Sequence, residues 1–239
     1  MNMDAPDHRV ILKSFIETVR PRLWVAGPVD ELLIAAKSGL ADALVTNPKV
    51  LADWSAAGSQ PVEMLAAELA ESTGLPVYLQ LRGPDEAAFL RQAEKLRTTH
   101  PLLLPKLPAD AAGLAATCRL AADFPVLVTG VATLAQVFAA HAAGARFVCP
   151  YFARLRDTGV NVVELLEQSA RLAARFARPF EIVPASVRDG QDVKLALSAG
   201  ATGVIIFTGL FGELLRHETT EQALAGFEKD WTTVRTNLK

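Results

Sequence analysis

The chain has 239 residues, 51% of them hydrophobic, and its 24 Lys+Arg nearly balance 26 Asp+Glu for a formal net charge of -2. That balance gives no electrostatic reason to expect nucleic acid or a membrane surface as a partner, and the length suits one barrel-sized domain or two small ones. The opening MNMDAPDHRVILKSFIETVRPR has no uninterrupted apolar core, and the apolar stretch from Leu134 to Tyr151 is broken by His141 and Arg146, so neither a secretory leader nor a membrane span is expected. Cys118 and Cys149 are too few for a disulfide framework and lack metal-site spacing; they read as small buried hydrophobes in a cytoplasmic protein.

Residues 1–21 precede the first strand and contain a helix-like stretch, His8 to Val19, expected to cap the bottom of the fold or extend outward. Strand-length apolar runs then recur at Leu23–Ala26, Ala43–Thr46, Val77–Leu81, Leu102–Lys106, Val126–Thr129, Phe147–Pro150, Ile182–Ala185 and Val204–Phe207. They are nearly continuous in hydrophobicity, as parallel strands covered on both faces would be. Before three of them, in KSGLADALVT, AAGARFVCP and SAGATGVIIF, a glycine closes a helix and a strand follows within a few residues. Eight such units predict a single (β/α)8 TIM barrel over 22–239, including the C-terminal helix, with an open doubly wound sheet as the competitor. The last helix is expected over Thr219 to Trp231, with Thr220 as N-cap. Phe227 and Trp231 share one of its faces, most simply as core and otherwise as a docking face for a neighbouring subunit.

In a barrel, reactive groups project from the carboxyl ends of the strands. Those positions hold Asn47, Gln80, Lys106, Thr129, Tyr151, Arg154, Ser186 and Arg188. Lys106 closes an apolar strand, where desolvation favours the neutral amine and so a nucleophile able to form a Schiff base with a ketone; the competing reading is a snorkelling surface lysine. Tyr151 suits proton transfer, and Gln80 suits fixing a water or hydroxyl. Arg154, Ser186 and Arg188 read as an anion pocket, with surface ion pairing as the alternative for either arginine. The four histidines, His8, His100, His141 and His217, show no paired spacing, so no metal is expected; no glycine-rich nucleotide loop is present, so no cofactor is expected either.

From about Leu23 to Trp231 the chain resembles the small transaldolase and fructose-6-phosphate aldolase group of class I aldolases. The resemblance is carried by VTNP at Val45, PKLP at Pro105, VCPYFARLRDTG at Val148, PASVR at Pro184 and HETTEQALAGFEKDW near the end. It implies that Lys106 is the Schiff-base lysine and that Asn47 lines the substrate site. It also implies that Arg154, Ser186 and Arg188 hold the phosphate or another anion of the acceptor. Transaldolases of the group carry glutamate where this chain has Gln80 and phenylalanine where it has Tyr151. Gln80, Thr129 and Tyr151 together are similar to the aldolase arrangement, in which a water is held for protonating the enamine.

Two positions depart from the family pattern. Ala26 stands where an aspartate usually ends the first strand, and Val45 replaces a threonine. Both remove groups that read sugar hydroxyls, which implies a less hydroxylated substrate, a slow enzyme, or compensation by a residue such as Asp157 or Thr133. The expected activity is that of a class I aldolase joining a dihydroxyacetone- or hydroxyacetone-type ketone to an aldehyde bearing a phosphate or similar anion. The alternatives are a transaldolase that moves a three-carbon unit between sugar phosphates or sulfosugars, and a catalytically impaired binding protein. The resemblance and the aromatic C-terminal helix further imply a homo-oligomer, by resemblance a ring, with sugar or hydroxyketone substrates; the near-neutral charge already argues against a nucleic-acid or membrane partner.

Overall fold

The computed structural model describes residues 8–17, 20–58, 60–177 and 180–237. Each of the eight apolar runs contributes a parallel strand: β1 Arg22–Ala26, β2 Ala43–Val45, β3 Val77–Gln80, β4 Leu103–Pro108, β5 Leu127–Val131, β6 Phe147–Pro150, β7 Glu181–Ile182 and β8 Gly203–Phe207. The first helix, α1 (His8–Glu17), precedes them. Between the strands lie α2 (Val29–Lys37), α3 (Pro48–Ala57), α4 (Val62–Thr73), α5 (Glu86–Thr99), α6 (Ala111–Leu120), α7 (Leu134–Ala142), α8 (Phe152–Asp157), α9 (Val162–Ala173) and α10 (Gly190–Ser198). After β8 come α11 (Thr208–Phe211) and α12 (Glu218–Asn237).

The strands lie in the order β7-β6-β5-β4-β3-β2-β1-β8, and the seam between the two ends is bridged by hydrogen bonds from Thr202 N to Ile182 O (2.9 Å) and from Ile205 N to Pro184 O (2.8 Å). The fold is therefore a (β/α)8 barrel rather than an open sheet. The repeated helix-to-strand junction works as its glycines suggest: Gly200 has φ 92°, and Gly39 and Gly144 likewise take positive φ. Side chains at the carboxyl ends of the strands cap the next helices. Asn47, Asp85, Asp110, Thr133 and Asp189 each accept a backbone N–H of the following first turn.

The amino-terminal floor of the barrel is closed by α1, one of the two placements expected for this segment. Phe15 is buried against Trp24 and Phe147, with ring centroids 5.9 and 5.6 Å away, and Trp24 stacks on Tyr78 at 4.8 Å. Beside these rings Glu181 accepts from Arg22 (Nε, 2.8 Å) and from Arg146 (Nη2, 2.6 Å), all three residues being buried. The two guanidinium groups also donate to the carbonyls of Phe15 and Ile16, both at 2.9 Å, which satisfies acceptors that a helix C-terminus leaves open. Val19 lies outside the described residues.

Four expectations need correction. The fourth strand does not end at Lys106 but continues to Pro108, which seats the lysine two residues inside the strand. The final helix begins at Glu218 and runs to Asn237, so Thr220 lies within its first turn rather than capping it. Phe227 and Trp231 are not core: they are 57% and 58% exposed, and with Leu224 and Val234 they form an exposed stripe on a helix with no buried residue from Glu218 to Val234. Spacing identified the apolar face, but only the tertiary arrangement shows that the barrel's own grooves are filled by other helices. Cys118 is likewise exposed, on α6, whereas Cys149 is fully buried. Among the described residues, no helix is long and apolar enough to cross a membrane.

Candidate active site

Lys106 rises inside the barrel from β4, paired with Gln80 of β3 on one side and Leu127 of β5 on the other. It is 3% exposed, and its Nζ donates to the carbonyl of Thr46 at 3.0 Å. Burial pulls its pKa below that of an ordinary lysine; a Cys149 thiolate would oppose this shift and the Arg154 guanidinium adds to it. Burial also raises the pKa of the Cys149 thiol, which favours the neutral form and weakens that opposition. The lysine is thus a buried amine tethered by one carbonyl, and not a snorkelling surface residue.

A cavity of about 440 Å³ opens beside the amine, and its lining includes the polar Asn47, Tyr151, Arg154 and Ser186 and the apolar Ala26, Val45, Ile205 and Phe207. The Oδ1 of Asn47 accepts from Val50 N at 3.0 Å as the cap of α3, which orients the side chain and leaves its amide nitrogen for a ligand. Ser186 is the one described non-glycine residue with positive φ, at 61°, a conformation that costs a serine roughly 1 kcal/mol or more. Its carbonyl accepts from Ala153 N at 3.0 Å, which ties the end of the seventh strand segment to α8.

Gln80 and Thr129 line a second, adjoining cavity of about 700 Å³, and Tyr151 and Pro48 line both. Thr129 Oγ1 donates to the Tyr151 hydroxyl at 3.3 Å, which leaves the phenol proton free to point elsewhere. Burial raises the Tyr151 pKa, against a lowering by the Thr129 hydrogen bond, so the phenol stays protonated at neutral pH. Gln80 is turned toward the strand ends: its Nε2 donates to the carbonyls of Leu81 and Lys106, both at 3.2 Å. The structure therefore gathers Gln80, Thr129 and Tyr151 around one space and Lys106, Asn47, Tyr151, Arg154 and Ser186 around the next.

The anion pocket comes together only in part. The Arg154 guanidinium lies 5.0 Å from the Tyr151 ring centroid at the cavity edge. Arg188 instead forms a two-pronged, exposed ion pair with Asp157, whose pKa is lowered by that contact, and it does not line the cavity. Asp157 is thereby engaged elsewhere, and Thr133 caps α7, so neither supplies the hydroxyl-reading group missing at Ala26 and Val45. Lys49, unmarked in the sequence reading, also lines the cavity.

Two further residues were missed. The buried Thr46 holds the lysine through its carbonyl, while its hydroxyl donates to Tyr78 O (3.1 Å) and accepts from Gln80 N (2.9 Å). Its place in VTNP was the available signal. Cys149 sits within electrostatic reach of Lys106 and within hydrogen-bonding reach of Thr129, a relation visible only in three dimensions. At the opposite, floor end of the barrel, His8 and His100 meet around Glu71, with their Nε2 atoms 3.4 and 3.1 Å from Oε2. The lack of paired spacing thus did not keep these histidines apart. His100 Nδ1 accepts from Leu102 N at 3.1 Å, so its Nε2 carries the proton given to Glu71 and offers no lone pair to a metal.

A family model described as Transaldolase/Fructose-6-phosphate aldolase matches residues 32–238. A probable transaldolase of Phenylobacterium zucineum (strain HLK1) is 32% identical over 82% of this chain and 89% of its own length. One from Desulfatibacillum aliphaticivorans is 28% identical over 92% and 98%. Among solved structures, thiamine phosphate pyrophosphorylase from Pyrococcus furiosus superposes with a TM-score of 0.54 at 13% identity, over 82% of this chain and 94% of that one, a likeness of fold alone. With a buried lysine at the carboxyl-end mouth of an eight-stranded barrel and a family match over most of its length, the chain belongs to the transaldolase/fructose-6-phosphate aldolase family.

Proposed function

We propose that the protein is a class I aldolase in which Lys106 forms a Schiff base with a small dihydroxyacetone- or hydroxyacetone-type ketone. The observation that carries this reading is the buried amine of Lys106, with its lowered pKa, facing a cavity lined by polar side chains. The neutral Nζ adds to the ketone carbonyl, and loss of water leaves the iminium. A water hydrogen-bonded to Tyr151 takes a proton from the adjacent carbon to give the enamine, whose carbon attacks an aldehyde. That proton returns through the water to Tyr151 as the phenol gives up its own. The new alkoxide takes a proton from Tyr151 directly or through water, and hydrolysis of the iminium releases product and restores the amine. Arg154, with Ser186 and Lys49 in the same lining, suits an anionic group on the aldehyde partner. Gln80 and Thr129 act through the Tyr151 side of the mouth.

The names of the relatives favour a second reading, a transaldolase that passes a three-carbon unit from one sugar to another. A ketose donor supplied with and without an acceptor aldehyde separates the two, because only transfer depends on the acceptor. Borohydride trapping with dihydroxyacetone and hydroxyacetone, followed by peptide mass spectrometry, tests the common step. An adduct on Lys106 is expected. Its absence in folded protein would sink both readings and leave a binding protein, whereas full turnover in Lys106→Ala would sink the Schiff-base mechanism. The exposed Leu224–Phe227–Trp231–Val234 stripe of α12 fits docking on another copy of the chain, so light scattering is expected to show a homo-oligomer, and a monomer would refute that part.

A further inference from the structure

Tyr151 lines both cavities at the mouth, so an aldehyde whose oxygen takes a proton from it can extend its chain into either. Beyond Tyr151, the chemistry above draws only on Gln80 and Thr129 from the larger one, of about 700 Å³. Its lining also includes Leu51, Val62, Leu81 and Phe89, and one basic residue, Arg82. Leu81 N donates to Lys106 O at 2.9 Å, which carries the ladder between β3 and β4 one residue past the end of β3. Arg82 therefore stands one pleat above Gln80, on the same side of the chain. Its backbone is pinned to α5: the N–H donates to Gln92 Oε1 at 3.3 Å, and the carbonyl accepts from Gln92 Nε2.

The acids around Arg82 are engaged elsewhere. Glu63, which lines an adjoining cavity with it, is held by Lys95 at 2.8 Å, and Glu86 of α5 by Arg119 at 3.4 Å. Asp110 is the one carboxylate in the lining; its Oδ1 accepts from Gly113 N at 2.8 Å as the cap of α6, where the helix end offsets its charge. Among the described residues no carboxylate pairs with the Arg82 guanidinium. A cation without a counter-ion in a cavity that also holds leucine, valine and phenylalanine suits a ligand with an apolar body and an anionic end. The body exchanges water for carbon, and a carboxylate gives the guanidinium a two-pronged partner.

We propose that the larger cavity receives the chain of a second class of acceptor, an aldehyde separated by an apolar spacer from a terminal carboxylate that pairs with Arg82. The inference rests on the class I aldolase reading above and adds to its acceptors. Two residues of extended chain from Gln80 to Arg82 rise about 6–7 Å, which sets the spacer at about four methylenes. An acceptor whose anion lies beside its aldehyde stays in the first cavity with Arg154.

The test compares 6-oxohexanoate with its methyl ester as acceptors, with dihydroxyacetone as donor and the carbon–carbon product measured by chromatography and mass spectrometry. The full-length wild-type protein is expected to prefer the acid in kcat/KM by about 10-fold, the scale of a charge-assisted hydrogen-bonded pair. Arg82→Gln is expected to bring that ratio near one, and Arg82→Lys to keep part of it, since lysine retains the charge without the fork. In Arg154→Gln the ratio is expected to persist, whatever the absolute rates. A wild-type ratio near one, a ratio that survives Arg82→Gln, or one lost only in Arg154→Gln overturns the proposal, while turnover of the ester shows the aldolase chemistry intact. If neither acceptor yields product in the wild-type protein, the aldolase reading falls and this inference with it.

Discussion

Lys106 Nζ donates to the carbonyl of Thr46 at 3.0 Å, and the hydroxyl of the same threonine links the β2 end to β3 through Tyr78 O and Gln80 N. One residue thus both aims the amine and fixes the strand spacing beneath it. Because a carbonyl only accepts, the bond orients the amine through an N–H and leaves the nitrogen lone pair available when the group is neutral.

The lowered pKa of Lys106 sets a pH dependence for its reaction with ketones. Trapping is expected to rise with pH as the ammonium loses its proton and to level off below the ordinary lysine value of 10.5. A trapping rate that is still climbing at pH 10.5 would show an unperturbed amine.

The same burial opposes folding, since the unfolded chain holds the lysine proton more tightly than the folded one. Lys106→Met is therefore expected to be more stable by about 1 kcal/mol or more near neutral pH, while forming no adduct. The penalty is greatest below the folded-state pKa and fades as pH rises toward 10.5, so the advantage of the methionine variant should shrink in that direction. Denaturant titrations of both proteins at several pH values give the comparison, and an advantage that grows with pH would contradict it.

Tyr151→Phe removes a phenol that is held protonated by burial and contacted by Thr129. Carbon–carbon bond turnover is expected to fall about 100-fold, the lower end of what a positioned acid or base supplies, while borohydride trapping on Lys106 persists. Equal losses in trapping and turnover would place the phenol in substrate uptake instead.

Glu181→Gln removes the charge of the carboxylate that the buried guanidinium groups of Arg22 and Arg146 both contact. The expected loss is about 3–5 kcal/mol in chemical denaturation, and the contact between α1 and the floor should loosen with it. A change below ~1 kcal/mol would mean that water already serves both cations.

Much of the barrel could be read along the chain because its signals are local: strand-length apolar runs, helix-ending glycines, and caps such as Asn47 and Asp110 that lie within four residues of what they bind. Lys106 stood out for the same reason, as one ammonium group in an apolar run. What escaped depends on residues far apart in sequence. Arg188 is engaged by Asp157, 31 residues away, and His8 faces His100 across the floor. The exposure of Phe227 and Trp231 could not be read either, since an amphipathic stripe reports a face and not whether anything covers it. Thr46 acts mainly through its backbone carbonyl, which every residue type shares, so its identity carried only half of the message.

Lys106 stands two residues short of the end of β4, yet its amine reaches the carbonyl of Thr46, the first residue past β2. The nucleophile is thus rooted in the sheet rather than in a loop. The strand registers that close the barrel also set where the amine stands, so a loop can change around the mouth without moving it.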